Sequence, residues 1–293
     1  MWGYNPHPPY HVLAFDSGIG GLGVVGALRL IMPHIHIDYL ADTAVFPYGE
    51  QDDTRLTQRI ITLLSDAINR LHPQAVIIAC NTASTLALEA LRAACPTMPF
   101  IGCVPPIRWA ARLTNTRVIG LLTTKATSRR PYLNTLQTLY APECTLITHA
   151  TPGLAKLAEH VFCDRPVPDT DFQNELEGLL KHPQISQIDT IGIGCTHYTF
   201  VLDRLRALFP SHICWLDPAN AVARQTWAVL SRQPPPHTPP KNTPQAWFTA
   251  MPDHIPALRI KLIPYGLSTL SLWETPSTLK NTVSISNKAS FCV

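Results

Sequence analysis

A chain of 293 residues with 46% hydrophobic and 15% charged residues has the composition of a globular protein with a sizeable core, which excludes wholesale disorder. The net charge of +3 is too small, and its Lys and Arg residues are too scattered, to indicate a nucleic-acid-binding protein. No run approaches the roughly 18 apolar residues of a membrane span, and the first residues lack a secretory-signal pattern, so a cytoplasmic location is the default expectation.

The first predicted strand, 12–15, ends at Asp16 and leads into a glycine-rich loop at 18–23. The loop has G-x-G-x-x-G spacing, and Asp38 or Asp42 follows at about the distance of the ribose carboxylate in dinucleotide-binding folds. Asp16 opposes this interpretation, because its charge precedes the glycines directly, where a pyrophosphate would rest on the helix N-terminus. A non-catalytic, nucleotide-binding regulatory protein therefore stays as an alternative of another class.

The rest of the first half alternates strands and helices. A strand at 35–42 runs into the turn-forming residues 47–49, and an amphipathic helix is predicted from 53 to 71. A buried strand at 75–78 precedes Cys80, a helix runs to about Ala94, and a short strand covers 100–104.

The pattern restarts after Pro106. Its strands are predicted at 117–122, 145–148, 190–193 and 212–217, with helices up to 139 and at 153–162, 172–180, about 201–209 and 220–230. Such alternation predicts an α/β fold, which we expect to form two similar three-layer domains with mostly parallel sheets facing across a central cleft. The predicted divisions are 10–104 plus 217–275 for the first domain, 105–216 for the second, a Pro-rich linker at 231–245 and a tail at 276–293.

Two of the eight cysteines stand out by their context. Cys80 and Cys195 each follow a predicted buried strand and precede a helix, which is where open α/β sheets bind ligands. We therefore expect two thiols to face one ligand. The others have no Cys-x-x-Cys spacing and are interpreted as small buried hydrophobes, namely Cys95, Cys103, Cys144, Cys163 and Cys214, with Cys292 in the tail.

A pair of thiols on opposite sides of a pocket fits the inversion of a stereocentre. One group removes the α-proton of an amino acid, and the other delivers a proton to the opposite face. A thiol with a pKa near 8.5 can be tuned into either state at neutral pH, so the pair can work in both directions. Asp16 and His197, each beside a thiol loop, are the candidate tuners.

Four motifs occur in order: Asp16-Ser17-Gly18-Ile19-Gly20-Gly21-Leu22, Pro47-Tyr48-Gly49, Ala79-Cys80-Asn81-Thr82-Ala83 and Gly194-Cys195-Thr196-His197-Tyr198. Together they closely resemble the glutamate racemase family of bacterial cell-wall synthesis, over residues from about 11 to 273. The resemblance implies cofactor-independent interconversion of L-glutamate and D-glutamate by two thiols, which supplies D-glutamate for peptidoglycan.

The resemblance also implies a role for each motif residue. Cys80 is expected to take the α-proton from D-glutamate with help from Asp16. Cys195 is expected to take it from L-glutamate with help from His197 and Glu159. Besides Asp16 and His197, the positions expected to hold the substrate carboxylates and amine are Ser17, Pro47, Tyr48, Gly49, Asn81, Thr82, Thr124 and Thr196, with Thr127 a further candidate.

Several alternatives stay open. The same thiols would suit a racemase or decarboxylase of another acidic substrate, such as aspartate or a substituted malonate. A zinc site of Cys80, Cys195 and His197 ranks low because Cys-x-His lacks a second close ligand pair, and no cofactor or metal is expected. Arg129 and Arg130 are interpreted as exposed charge, with phosphate recognition as the alternative. The resemblance to longer family members implies activation by a peptidoglycan precursor. A homodimer is left open as the oligomeric state.

Overall fold

The computed structural model describes residues 8–240, 242–276 and 279. The strands β1 to β10 are His11–Asp16, His36–Ala41, Ala75–Ile78, Phe100–Gly102, Val118–Thr123, Thr145–Ala150, Thr190–Gly194, Cys214–Leu216, Gln245–Phe248 and Thr269–Leu272. The α-helices α1 to α11 are Leu22–Ile31, Asp53–Leu71, Asn81–Ala94, Ile107–Leu113, Lys125–Ser128, Pro131–Tyr140, Leu154–Phe162, Asp169–Leu180, Leu202–Ala207, Ala219–Leu230 and Ile255–Leu262. None of these helices is both long and apolar enough to cross a bilayer.

The strands form two parallel sheets with the same central topology. The first sheet has the order β10-β9-β2-β1-β3-β4, and the second has the order β6-β5-β7-β8. The segment β2-β1-β3-β4 therefore corresponds strand by strand to the whole second sheet. Because all described pairings are parallel, the loops that follow the equivalent strands β3 and β7 lie at carboxyl edges.

Helices cover both faces of each sheet. Alternate side chains of a strand point to opposite faces, so each strand contributes to two clusters. In β1, Val12 and Ala14 pack in the cluster that contains α1 and α10 residues, whereas Leu13 and Phe15 pack with α2 and α3. The second sheet lies similarly between α7 to α9 and the pair α4 and α6. The predicted fold class, two three-layer α/β units with parallel sheets, is confirmed.

The periodic pattern missed two helices. α4 has seven residues directly after Pro105-Pro106, which is too short for a helical period to be visible. α11 has a proline in its first turn and exposes Ile260 while burying Leu258 and Leu262, so its apolar residues do not form one stripe.

Three cysteines predicted to be buried are not. Cys214 is exposed because β8 is an edge strand that pairs with β7 alone. Cys95 and Cys163 are half-buried because each directly follows the last residue of a helix. Cys103 and Cys144 are buried as expected, and Cys292 lies outside the described residues.

The predicted linker follows α10, and the predicted tail follows β10. Residues 231–240 and 242–244 contain no helix or strand, and the predicted linker overlaps β9 only at Gln245. Of the predicted tail, only residues 276 and 279 belong to the described part. The domain boundaries themselves stay a prediction.

A buried ion pair fixes the loop after β2 to the first sheet. The Asp42 carboxylate accepts two hydrogen bonds from Arg59 of α2, at 2.7 and 2.5 Å. It also accepts hydrogen bonds from the hydroxyls of Tyr48 and Thr249, each at 2.7 Å. The Asp42 side chain is fully buried and that of Arg59 is 6% exposed, so the pair is shielded from solvent.

We expect Arg59→Met to lower the free energy of unfolding by about 3–5 kcal/mol, because it leaves the buried charge of Asp42 uncompensated. The matched control is Arg55→Met, one turn earlier in α2 at an exposed position, which should change stability by no more than about 0.5 kcal/mol. Urea denaturation measures both values. Equal losses in the two variants would contradict a stabilising role for the ion pair.

Candidate active site

A narrow cavity lies at the carboxyl edges of both sheets. Its empty volume is about 270 Å³, of which only about 20 Å³ admits the centre of a water molecule. That is room for about one water. Its walls come from the loops after β1, β2, β3, β5 and β7 and from α7, with lining residues Ser17, Phe46, Pro47, Tyr48, Gly49, Cys80, Asn81, Thr82, Thr124, Ala155, Cys195 and His197.

The two thiols occupy equivalent positions in the two sheets and line the same cavity. Cys80 lies between β3 and α3, and Cys195 directly follows β7. Their exposed fractions are 5% and 6%. The Cys80 sulfur accepts the N–H of Ala83 at 3.5 Å, as the N-cap of α3. Burial raises the pKa of the Cys80 thiol strongly, and the charge of Asp16 raises it further, so this group favours the protonated form.

His197 links Cys195 to a carboxylate. Its Nδ1 lies 3.9 Å from the Cys195 sulfur, and its Nε2 lies 3.0 Å from Glu159 Oε1. Burial alone lowers the pKa of His197, but the hydrogen bonds to Cys195 and Glu159 and the charge of Asp16 outweigh it and raise the pKa well above its usual value. An imidazolium at this position places a positive charge beside the Cys195 sulfur.

Asp16 is fully buried beneath the cavity. Its carboxylate accepts the hydroxyl of Thr196 at 2.9 Å, the hydroxyl of Ser17 at 3.1 Å and the N–H of Gly18 at 3.0 Å. Burial raises the pKa of Asp16, although the charge of His197 and these hydrogen bonds oppose the rise. The register that pairs Phe15 with Ile78 brings the ends of β1 and β3 side by side, which accounts for the electrostatic effect of Asp16 on Cys80.

The glycine-rich loop accommodates side chains of the second sheet's unit. A Cβ atom at Gly18 would collide with Glu159 and His197, and one at Gly20 would collide with His197. The loop's Ile19 N–H donates to Glu159 Oε1 at 2.8 Å. The protein's own carboxylate therefore occupies an N–H that a pyrophosphate would need in the dinucleotide interpretation.

The two candidate ribose carboxylates also have other partners. Asp38 lies near the amino end of β2, away from the glycine loop, which follows the carboxyl end of β1. Asp42 is bound to Arg59. The glycines whose spacing resembles a dinucleotide motif thus allow side chains of the second sheet's unit to pack closely against the first.

Hydroxyl and amide groups also lie at the cavity. Thr82 Oγ1 lies 3.1 Å from Thr124 Oγ1 and 3.4 Å from Thr127 Oγ1. Asn81 Oδ1 is buried and has no hydrogen-bond partner among the described residues. These groups can accept from an ammonium or donate to a carboxylate.

Arg130 corrects one expectation, since it is 8% exposed rather than a surface charge. Its guanidinium donates to the carbonyl oxygen of Thr82 and to the hydroxyl of Thr85, both at 2.7 Å. It also pairs with Asp53 at 2.9 Å. Arg130 therefore binds the first turns of α3 through contacts that are remote in sequence.

The structure brings the predicted site residues to one place. Ten of them line the cavity, while Asp16, Glu159 and Thr196 form hydrogen bonds behind it. Their individual roles stay predictions. Sequence reasoning missed Ala155 and also Phe46, which packs against the His197 ring with centroids 5.3 Å apart. A lone aromatic or alanine carries no recognisable chemical signal in a sequence.

Comparisons with known proteins agree with this architecture. The profile of the family described as Asp/Glu/Hydantoin racemase matches residues 27–226. A glutamate racemase of Granulibacter bethesdensis is 51% identical over 215 residues, which cover 73% of this chain and 76% of that protein. One of Sphingopyxis alaskensis is 36% identical and covers 91% and 98% of the two chains.

A solved structure is similar over almost the whole fold. The crystal structure of Escherichia coli glutamate racemase in complex with L-glutamate and the activator UDP-MurNAc-Ala has a TM-score of 0.85 to this chain. It is 31% identical, and the match covers 92% of this chain and 100% of that chain.

The raised pKa of His197 predicts a pH-dependent contribution to stability. A group whose pKa rises on folding stabilises the protein fully below its unfolded pKa of ~6.5, and this contribution is lost as the pH rises through the folded pKa. The difference in unfolding free energy between the wild type and His197→Asn, measured by urea denaturation, should therefore shrink as the pH rises above ~6.5. The control His34→Asn, at an exposed position, should give no such trend, and a constant difference for His197→Asn would contradict the assignment.

Proposed function

Since this chain belongs to the Asp/Glu/Hydantoin racemase family, we propose that it interconverts L-glutamate and D-glutamate with Cys80 and Cys195 as the two bases. The observation that carries the proposal is the pair of buried cysteines, at equivalent positions of two similar sheets, lining one narrow cavity. Two groups on opposite sides of an α-carbon are what stereochemical inversion without a cofactor requires.

The reaction needs the two sulfurs in opposite protonation states. A thiolate on one side removes the α-proton, and the C–H electron pair stays on the α-carbon as a carbanion. The thiol on the other side then donates its proton to the opposite face of that carbon. The product is the other enantiomer, and the two sulfurs have exchanged their protonation states.

The two cysteines have different electrostatic surroundings. The raised pKa of Cys80 favours a thiol, which can donate a proton. The raised pKa of His197 favours an imidazolium 3.9 Å from the Cys195 sulfur, and the proposed mechanism assigns the thiolate to that sulfur. This resting state suits attack on the enantiomer whose α-proton faces Cys195, and the family resemblance makes that enantiomer L-glutamate.

The cavity suits an amino acid with two carboxylates. The described residues that line it include no Lys or Arg, so hydroxyls, N–H groups and His197 would hold the two carboxylates. The N-terminal turn of α3 carries Asn81 and Thr82, and helix N-termini favour anions. The unpartnered Asn81 Oδ1 provides an acceptor for the substrate ammonium.

Catalytic power would come from two sources. A positioned acid or base contributes about 10²- to 10⁴-fold, and the remainder must come from stabilising the carbanion in a site that excludes water. The small free space in the cavity supports such exclusion. Aspartate or a substituted malonate stays an alternative substrate for the same thiols.

We also propose that a peptidoglycan precursor activates this protein. Its support is that the E. coli relative was solved with both L-glutamate and UDP-MurNAc-Ala, over a match that covers that whole chain. A homodimer and a cytoplasmic location stay predictions from the sequence.

We expect the purified protein to convert either glutamate enantiomer to the racemate without added cofactor, as followed by circular dichroism of the substrate. Cys80→Ser and Cys195→Ser should each lower kcat by at least about 10²-fold, because each removes one of the two bases. The matched control is Cys144→Ser, which alters another buried cysteine in the cluster formed by α4 and α6 residues and should retain activity.

The outcomes separate the candidate functions. Wild-type rates in both cysteine variants would rule out the two-thiol mechanism. Turnover of aspartate but not of glutamate, with a peptidoglycan precursor supplied, would favour the alternative substrate. Folding of each variant is checked by far-ultraviolet circular dichroism.

Glu159→Gln tests the link through His197. Loss of the carboxylate removes one cause of the raised pKa of His197, so the alkaline limb of the pH–rate profile should move to lower pH. A hydrogen bond to a charged group is worth about 1.5–3 kcal/mol, so kcat/KM should fall by about 10- to 100-fold.

Two controls accompany this variant. Glu177→Gln alters an exposed carboxylate on α8 and should leave the profile unchanged. Because two enantiomers are equal in free energy, kcat/KM must fall by the same factor in both directions, which checks the assay internally. An unshifted alkaline limb in Glu159→Gln would contradict the role of the Glu159–His197 pair.

A further inference from the structure

A second cluster of titratable side chains lies at the opposite edge of the first sheet. His11 begins β1, and His36 and Asp38 lie in the first three residues of β2. The register pairs His11 with His36, so the three side chains point to the same face. Asp16 ends the same strand that His11 begins, and at about 3.3 Å per residue the cluster lies roughly 16 Å from the candidate active site.

Both imidazoles point the same nitrogen at one carboxylate oxygen. His11 Nε2 lies 2.9 Å from Asp38 Oδ2, and His36 Nε2 lies 3.5 Å from the same atom. All three potential ligand atoms lie within 4.8 Å of one another. Ligand atoms bound at about 2.0–2.1 Å to a tetrahedral zinc ion lie about 3.3 Å apart, so small side-chain movements would fit the three atoms around one ion.

The surroundings hold the cluster in place. The N–H of Gln245, at the start of β9, donates to Asp38 Oδ1 at 2.9 Å and leaves Oδ2 directed at the two histidines. The backbone N–H of His11 donates to the side chain of Gln74 at 2.9 Å, which fixes the start of β1. A hydrogen bond to the second oxygen of a ligating carboxylate, such as that from Gln245, is typical of metal sites, where it fixes the orientation of the carboxylate.

Burial and access are unequal within the cluster. The side chains of His36 and Asp38 are each 7% exposed, whereas that of His11 is 12% exposed. The three groups are therefore shielded but reachable from the side of His11. A site with three protein ligands leaves a fourth position for water.

We propose that His11, His36 and Asp38 form a binding site for a divalent transition-metal ion of the zinc type. Two imidazoles and one carboxylate are a ligand set that such ions prefer over Mg²⁺ or Ca²⁺, which favour oxygen ligands. The ion would join the amino ends of β1 and β2, next to the start of β9. It would have a structural role, since the cluster lies far from the cavity that holds Cys80 and Cys195.

The test is a Co²⁺ titration of the full-length protein after dialysis against a chelator, followed by visible absorption. We expect one saturable equivalent with ligand-field bands, displaced by Zn²⁺ and lacking the near-ultraviolet thiolate-to-cobalt charge-transfer band. His36→Gln and Asp38→Asn should each weaken binding by at least about tenfold. His34→Gln, two residues earlier and exposed, is the matched control and should bind as the wild type does.

Each other outcome overturns the site. Absence of saturable binding would leave the cluster a hydrogen-bonded triad. Unchanged affinity in both His36→Gln and Asp38→Asn would place the ion elsewhere, and a thiolate charge-transfer band would place it on cysteines. Asp38→Asn preserves the side-chain shape and its acceptor for Gln245, so it keeps the test valid if His36→Gln fails to fold. The readout is binding, so its result is independent of racemase activity.

Discussion

Two carboxylates, one from each unit, accept hydrogen bonds across the interface between the two sheets. The geometry of the site depends on this pair of contacts. Asp16, at the end of β1, accepts the hydroxyl of Thr196 from the loop after β7. Glu159, on α7, accepts the N–H of Ile19 from the loop after β1. Hydrogen bonds to charged groups contribute about 1.5–3 kcal/mol each. Asp16 also raises the pKa of Cys80, and Glu159 also binds His197, which lies beside Cys195. The hydrogen bonds that hold the two units together therefore also set the electrostatics of the cavity.

The two halves share a topology but differ in chemistry. Equivalent strands deliver Cys80 and Cys195 to the cavity, yet Cys80 lies at a helix N-cap near Asp16, whereas Cys195 contacts a buried imidazole. A symmetric pair of environments would drive both thiols toward the same protonation state. Inversion requires unlike states, so the departure from symmetry in the side chains is as necessary as the symmetry of the sheets.

Local patterns in the sequence predicted the parallel sheets and both cysteine loops, because buried strands and strand-to-helix turns leave a signature within a few residues. The glycine motif was ambiguous for a physical reason, since the same glycines that admit a pyrophosphate also admit Glu159 and His197. Arg130 was misjudged because its partners Thr82 and Asp53 are distant in the chain. The convergence of His11, His36 and Asp38 likewise depends on strand register, which a single sequence does not fix.

The small volume of the cavity affects how the protonation states of the two sulfurs are restored between turnovers. Space for about one water cannot admit a dicarboxylic amino acid, so the walls must separate for substrate to enter and product to leave. The elevated pKa of Cys80 arises first from burial, which makes it a property of the closed cleft. Each proposed turnover leaves the sulfurs with exchanged protons, and an open cleft returns both to contact with solvent. Opening would therefore reset the pair for a second molecule of the same enantiomer, so that product release and enzyme regeneration become one event.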